Sequence, residues 1–177
     1  MTTQLPPTIT DVHTHRKDAG RDAIVNLSLD EEPVAGRYYS VGIHPWDAAG
    51  VTAEQKDRVA LLAENQAVIA IGEAGIDLVH EPVAPIEEQL ALLRWHIELS
   101  ERLRKPLILH VVKGLEYVVG LRRTMRPVQM WIWHGFRGKQ AMAEQLIAHG
   151  IHISINPARR PVVPVEIPAE YLHYETD

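Results

Sequence analysis

Short runs of β-branched and aliphatic residues recur along the whole chain, and helical patterns separate several of them. This alternation constrains the fold more than any other feature, because strands that alternate with helices form a parallel sheet. The eight runs lie at residues 9–13, 24–29, 38–43, 68–72, 107–111, 130–134, 151–155 and 171–174.

Four segments between these runs have the marks of helices. Residues 52–65 open with Thr52-x-x-Gln55, a capping box, and residues 86–104 follow Pro85 with apolar side chains at spacings of three and four. Residues 114–125 and 139–149 also predict helices, the second closed by Gly150. Residues 156–169 hold four prolines, so we expect an irregular connection with at most one helical turn.

Eight strands with interleaved helices predict a (β/α)8 TIM-type barrel, and we expect residues 1–177 to form a single domain. The chain is shorter than a usual barrel, and no residues follow the eighth run to form the last helix. Apolar surface between the last and first strands would then need a cover. Either a partner supplies it or the native protein is longer, and we favour the second explanation.

Composition narrows the classes of site and partner. The chain has no cysteine but ten histidines, so a bound metal must use His, Asp and Glu ligands. A net charge of -5 argues against a broad basic surface for nucleic acid, although it does not exclude a phosphate substrate. Without a signal peptide or a transmembrane-length apolar run, the sequence predicts a cytoplasmic protein with no membrane association.

Ionisable residues cluster at the carboxyl ends of the predicted strands. Because these ends share one face of a parallel barrel, we expect the side chains to converge there. The most specific pattern is Asp11-x-His13-x-His15, since alternate residues on a strand point to the same side. The others are His44 after the third run, Glu73 in a glycine-rich turn after the fourth, His110, His134 and Asp177.

Six of these residues have the chemistry of a two-metal site. Four imidazoles and two carboxylates suit two adjacent divalent ions that share a bridging carboxylate and hydroxide. Zinc, manganese and magnesium all remain open as the metal. The six predicted ligands are His13, His15, Glu73, His110, His134 and Asp177.

For several other polar and aromatic residues, the sequence leaves two roles open. Arg137 and Lys139 follow His134 and either contact a phosphate or are solvated surface charges. Trp46 either stacks on a base at the rim or caps the barrel. The remaining histidines are predicted to be surface or packing residues, namely His80, His96, His149, His152 and His173.

Six segments together resemble the TatD family of metal-dependent hydrolases, within the amidohydrolase-like barrels. They are Asp-Val-His-Thr-His at 11–15, Val-Gly-Ile-His-Pro at 41–45, Ala-Ile-Gly-Glu-Ala-Gly-Ile-Asp at 70–77, Lys-Pro-Leu-Ile-Leu-His at 105–110, His-Gly-Phe-Arg-Gly at 134–138 and Glu-Thr-Asp at 175–177. The resemblance covers nearly the whole chain. It implies a barrel with divalent metals, and several family members are deoxyribonucleases that act from the 3' end of single strands.

The resemblance also implies a role for each matching residue. His13 and His15 would hold one metal, His110 and His134 the second, and Glu73 would bridge the two. Asp177 would bind or orient the attacking water, and His44 would face the scissile phosphate.

Two positions depart from the family pattern. An arginine usually lies two residues after the strand-five histidine, whereas this chain has Val112 there, followed by Lys113. Arg137 stands in His-Gly-Phe-Arg, where His-Cys-Phe-Ser is commoner. Lys113 and Arg137 are therefore the candidate contacts to a substrate phosphate.

Three functions are consistent with these patterns. The leading hypothesis is a metal-dependent phosphoester hydrolase with DNA as substrate, in which Asp177 takes a proton from the attacking water and Glu73 and His44 complete the catalytic residues. The second is hydrolysis of a small amide, lactone or phosphate ester at the same site. The third is a degenerate, non-catalytic barrel that binds a protein partner.

Overall fold

Eight parallel strands form one sheet, in which each strand pairs with the next along the chain. The computed structural model describes residues 3–159 and 164–177. The strands are β1 (Asp11–Thr14), β2 (Ala23–Asn26), β3 (Tyr38–Val41), β4 (Val68–Asp77), β5 (Leu107–Val112), β6 (Trp131–Trp133), β7 (Ile151–Ile155) and β8 (Leu172–Tyr174). This architecture confirms the predicted TIM-type (β/α)8 barrel.

Four α-helices connect strands β3 to β7 and pack outside the sheet. They are α1 (Ala53–Glu64), α2 (Ile86–Leu103), α3 (Leu115–Met125) and α4 (Gln140–Ala148). The predicted capping box is present, since Thr52 and Gln55 exchange side-chain to backbone hydrogen bonds at the start of α1. Within the described part of the chain, no α-helix follows β1, β2, β7 or β8. The barrel therefore has fewer covering helices than strands.

Thr176 bridges the seam between β8 and β1. Its backbone N–H donates to the carbonyl of His13 at 3.3 Å, and its hydroxyl donates to Asp11 Oδ2 at 2.6 Å. The Asp11 carboxylate also accepts the N–H of His13 at 3.2 Å. Asp11 is thus a structural residue that joins the end of the chain to the first strand.

The segment 156–169 is mostly irregular, as its prolines predict. Where it is described, it contains one 3-10 turn, Pro157–Arg159, and a second, Ala169–Tyr171, begins at its end. Residues 160–163 of this predicted connection lie outside the described residues.

The fourth strand is longer than the sequence predicts. The prediction that Glu73 lies in a turn after residue 72 was wrong, because β4 continues to Asp77 and pairs with β5 through Ala74, Gly75 and the residues that follow. A glycine makes this pairing possible, since a Cβ on Gly75 would lie 1.8 Å from the carbonyl oxygen of His110. Close approach of two backbones, rather than a turn, explains the glycines here.

His96 anchors the loop after β3 to helix α2. Its ring is fully buried, with Nε2 3.0 Å from the N–H of Ile43 and Nδ1 2.9 Å from the carbonyl of Leu92. Because Ile43 donates, Nε2 accepts and Nδ1 carries the proton of a neutral imidazole. Burial lowers the pKa of His96 from 6.5 to about 4. This geometry agrees with a packing role for His96.

We expect His96 to make the protein less stable in acid. The unfolded chain binds the proton at a pKa of 6.5 and the folded chain at about 4, so the free energy of unfolding falls as pH drops between these values. Between pH 7.5 and pH 5 the expected loss is about 2 kcal/mol. Urea unfolding of wild type and His96→Gln at both pH values measures it. An equal loss in the two proteins would contradict this origin.

None of the helices within residues 3–159 and 164–177 has the length and apolar character needed to cross a lipid bilayer.

Candidate metal centre

All seven strand-end residues singled out from the sequence lie at the carboxyl end of the barrel. His13 is in β1, Glu73 in β4 and His110 in β5, where the strands hold them rigidly. The other four lie just beyond the ends of strands: His15 after β1, His44 after β3, His134 after β6 and Asp177 after β8. The parallel topology thus brings together residues that are up to 164 positions apart.

Glu73 lies at the centre of this cluster, and its side chain is 3% exposed. Its Oε2 lies 3.2 Å from His13 Nε2 and 2.9 Å from His15 Nε2. Its Oε1 lies 2.6 Å from His134 Nε2, 3.0 Å from His110 Nδ1 and 3.5 Å from His44 Nε2. One buried carboxylate therefore faces five imidazoles, and each of its oxygens faces a different subset.

The donor atoms group into sets with metal-ligand spacing. Three such sets have all donor atoms within 4.8 Å of one another: His13, His15 and Asp177; His13, Glu73 and His134; and His44, Glu73 and His110. His134 Nε2 also lies 3.4 Å from His110 Nδ1. One of the three sets holds the His13 and His15 pair that the family resemblance implies, none of the three holds His110 together with His134, and one places His44 among the candidate ligands.

The electrostatics of the cluster favour a charged centre. Burial opposes ionisation of Glu73, but hydrogen bonds from His110, His13, His134 and His15 outweigh it and hold the pKa of Glu73 far below its ordinary value. Burial likewise favours neutral His134, yet the carboxylates of Glu175 and Glu73 raise its pKa to about 10. Burial lowers the pKa of His13, which keeps its lone pair available.

Divalent metal ions fit the residues that are present. Nδ1 of His13 is buried without a hydrogen-bond partner among the described residues, while Nε2 of His13 and Nδ1 of His134 face the carboxylates of Glu73 and Glu175. Buried nitrogens of this kind are costly unless something satisfies them, and a neutral imidazole beside a carboxylate is a preferred ligand of first-row divalent metals.

Asp77 was not among the predicted site residues, although its carboxylate contacts one of them, His110. Its Oδ2 accepts from Trp46 Nε1 at 2.7 Å and lies 2.9 Å from His110 Nε2, while its Oδ1 accepts the N–H groups of Val79 and His80. Burial opposes ionisation of Asp77, but these hydrogen bonds hold its pKa well below its ordinary value. An ionised carboxylate only accepts, so Asp77 accepts the Nε2–H of His110, which leaves Nδ1 as the nitrogen that would ligate a bound metal on the side facing Glu73.

We expect Asp77→Asn to weaken metal binding about 10–100-fold. An asparagine side chain has only one acceptor oxygen. Its NH2 group would therefore face either the backbone N–H groups of Val79 and His80 or the rings of Trp46 and His110, and the hydrogen bond that fixes the His110 tautomer would be disturbed. Chelator competition measures the affinity, and long-range nitrogen-15 NMR measures the tautomer. Asp57→Asn, the same change at an exposed position of α1, is the control. Wild-type affinity and tautomer in Asp77→Asn would contradict the assignment.

The Glu175 carboxylate faces His134 much as Asp77 faces His110, and the sequence did not predict Glu175 as a site residue either. Its Oε1 lies 3.7 Å from His134 Nδ1, and the carboxylate accepts the N–H of Gly135 and the hydroxyl of Ser154. A signal for Asp77 existed in the sequence, because residues 73 and 77 of one strand point to the same side. Glu175 had no comparable signal before β7 and β8 were placed side by side.

The remaining predicted residues lie around the cluster rather than in it. Lys113 and Arg137 are exposed and line a cavity beside His110 and His134. Trp46 lies at the rim, 46% exposed, and stacks on His80 with a centroid distance of 3.6 Å. The other histidines lie away from Glu73: His152 Nδ1 is 3.1 Å from His173 Nε2, and His149 follows α4.

Known proteins share this fold. A TatD homologue from Escherichia coli K12 superposes with a TM-score of 0.71 at 23% identity, over 81% of this chain and 59% of that one. A hydrolase TatD family protein from Entamoeba histolytica superposes with a TM-score of 0.67 at 22% identity, over 79% and 50%. At this identity the superpositions establish the fold alone.

Sequence comparison identifies the family. The chain is 30% identical over 161 residues to a protein of Erwinia amylovora named 3'-5' ssDNA/RNA exonuclease TatD, covering 85% of this chain and 61% of that protein. It is 30% identical over 152 residues to a Mycobacterium tuberculosis protein named as an uncharacterized metal-dependent hydrolase TatD, covering 79% and 57%. The chain thus spans about three-fifths of the length of these relatives. Residues 10–177 match the profile of the TatD related DNase family, and the chain belongs to that family.

Proposed function

We propose that the chain is the catalytic barrel of a metal-dependent phosphodiesterase that removes nucleotides from the 3' end of single-stranded nucleic acid. One observation carries the proposal: the buried Glu73 carboxylate faces five imidazoles at the carboxyl end of the barrel. The names of relatives as 3'-5' ssDNA/RNA exonucleases support the substrate class and the direction.

The metal-binding part of the proposal assigns two divalent ions, zinc, manganese or magnesium. Glu73 would help to hold both ions, and bound ions would supply a water of lowered pKa and positive charge for the phosphoryl oxygens. The remaining ligands would be His13 and His15 for one ion, with Asp177, and His110 and His134 for the other.

The chain's own residues then bind and orient the reactants. Asp177, whose Oδ1 lies 3.8 Å from His15 Nε2, takes a proton from the attacking water. The water oxygen forms a bond to phosphorus and the bond from phosphorus to the 3' oxygen breaks. That oxygen takes up a proton, so the products are a nucleoside 5'-monophosphate and a strand shortened by one. His44 faces the scissile phosphate, and Lys113 and Arg137 contact phosphate oxygens.

Metal content and a substrate panel test this function together. We expect about two equivalents of metal per chain by plasma mass spectrometry after loading with zinc, manganese or magnesium and dialysis. The loaded protein should shorten a 5'-labelled single strand from its 3' end. Faster turnover of amides or lactones than of any phosphodiester would favour the other enzyme class. Metal-free protein under every condition would favour the non-catalytic barrel.

A further inference from the structure

Two cavities open on opposite halves of the barrel mouth, with the Glu73 cluster between them. The first, about 480 Å³, lies over β1 to β4 and is lined by His15, His44 and Glu73 on its inner side. The second, about 460 Å³, lies over β5 to β8 and is lined by His110, His134 and Asp177 on its inner side. Each exceeds the roughly 300 Å³ at which small-molecule sites begin, so each has room for one nucleotide unit.

The two cavities differ in charge. The cavity over β5 to β8 is lined by three cationic side chains, Lys113, Arg137 and Arg159, whereas none of the lysines and arginines within residues 3–159 and 164–177 lines the other. Ion pairs of lysine and arginine in the described ranges involve other residues, namely Arg16, Lys17 and Arg58. The three cations are therefore available to an anionic ligand.

The acidic residues of the same cavity are already engaged. Glu175 is 1% exposed and accepts hydrogen bonds from Gly135 and Ser154. Asp177 belongs to the cluster with His13 and His15. Neither carboxylate forms an ion pair with the three cations, which are exposed to solvent.

The cavity over β1 to β4 presents uncharged groups and one aromatic ring. Asn26, Ser28 and Gln55 offer hydrogen-bond donors and acceptors, Trp46 offers a stacking surface, and Asp47 adds a negative charge. Amides, hydroxyls and an indole suit a nucleobase and a sugar, while the carboxylate disfavours a second phosphate.

We propose that the single strand lies across the mouth in one orientation. The retained strand, which carries the phosphates, lies over Lys113, Arg137 and Arg159, and the terminal nucleoside lies in the cavity over β1 to β4 beside Trp46. This inference rests on the proposed function, and it adds Arg159 and a distinct role for each cavity. A 3'-hydroxyl end fits the cavity over β1 to β4, whereas a 3'-phosphate would lie beside the Asp47 carboxylate without a lysine or arginine from the described residues.

The experiment measures kcat/KM of metal-loaded protein on a 5'-labelled thymidine 10-mer as salt increases. The test variant replaces all three cations by alanine, and the control removes the same charge from exposed positions on the outer helices α2 and α3. The test substitutions are Lys113→Ala, Arg137→Ala and Arg159→Ala, and the control substitutions are Arg94→Ala, Arg102→Ala and Arg123→Ala.

We expect the test variant to lose at least about tenfold in kcat/KM at low salt and its salt slope to become shallower by about 2, since each phosphate contact on a single strand contributes about 0.7. The control should keep the wild-type rate and slope. The wild-type protein should also degrade a 3'-phosphorylated 10-mer at least about tenfold more slowly than the 3'-hydroxyl form.

Equal losses in test and control variants would overturn the strand path, because overall charge would then explain them. Equal rates on the two strand ends would overturn the role of the cavity over β1 to β4. In both cases the wild-type protein still hydrolyses DNA and the proposed function stands. If wild type cleaves no oligonucleotide at all, the proposed function fails and this inference fails with it.

Discussion

Replacing Glu73 by glutamine is expected to lower kcat/KM on single-stranded DNA more than about 100-fold, because the change removes a proposed metal ligand rather than a residue that supports one. The side chain keeps its size but loses its charge and one of its two acceptor oxygens. Its NH2 group would then face imidazole nitrogens that the carboxylate now contacts at 2.6 to 3.2 Å. The metal content of Glu73→Gln should also fall below the wild-type value.

The control for this prediction is Glu98→Gln, the same chemical change at an exposed position of α2. Rates are measured by gel assay and metal by plasma mass spectrometry. Circular dichroism verifies that both variants are folded. If folded Glu73→Gln keeps wild-type metal content and turnover, Glu73 is not the bridging residue.

Replacing Gly75 by alanine is expected to destabilise the protein by about 3 kcal/mol or more. A Cβ at this position would lie 1.8 Å from the carbonyl oxygen of His110, and backbone of β5 cannot rotate away as a flexible side chain can. The two strands must separate, which weakens their pairing and moves Glu73 relative to His110. The variant should therefore unfold at lower urea and bind metal more weakly.

Gly120→Ala provides the matched control. Gly120 lies inside helix α3, and a Cβ there would meet no atom within 4 Å. Alanine favours helix over glycine, so this variant should be more stable by roughly 0.5–1 kcal/mol. A similar urea midpoint for the two variants would contradict the packing role of Gly75.

Periodicity in the sequence predicts most of the architecture. The eight strands, the four helices and the irregular connection after β7 follow from apolar spacing, a capping box and prolines, all of which are local properties. The fourth strand was mispredicted because Gly72 and Gly75 resemble turn residues, and only their closeness to β5 shows that they belong to a strand.

The residues of the candidate centre were predictable for a related reason. Parallel strands in a barrel place their carboxyl ends on one face. Strand order alone therefore predicts that His13, Glu73, His110 and His134 lie close together. Which residues support them was not predictable, because Asp77 and Glu175 act through contacts with side chains on other strands.

Local sequence thus determined the elements, their order and the set of polar residues at the barrel mouth. Tertiary structure decided the rest: the central position of Glu73 among five imidazoles, the hydrogen bond between Thr176 and Asp11 across the barrel seam, and the placing of the three cations in only one of the two cavities. The physical reason is that hydrophobic periodicity is encoded within each element, whereas hydrogen bonds and charge distribution depend on side chains brought together from distant positions.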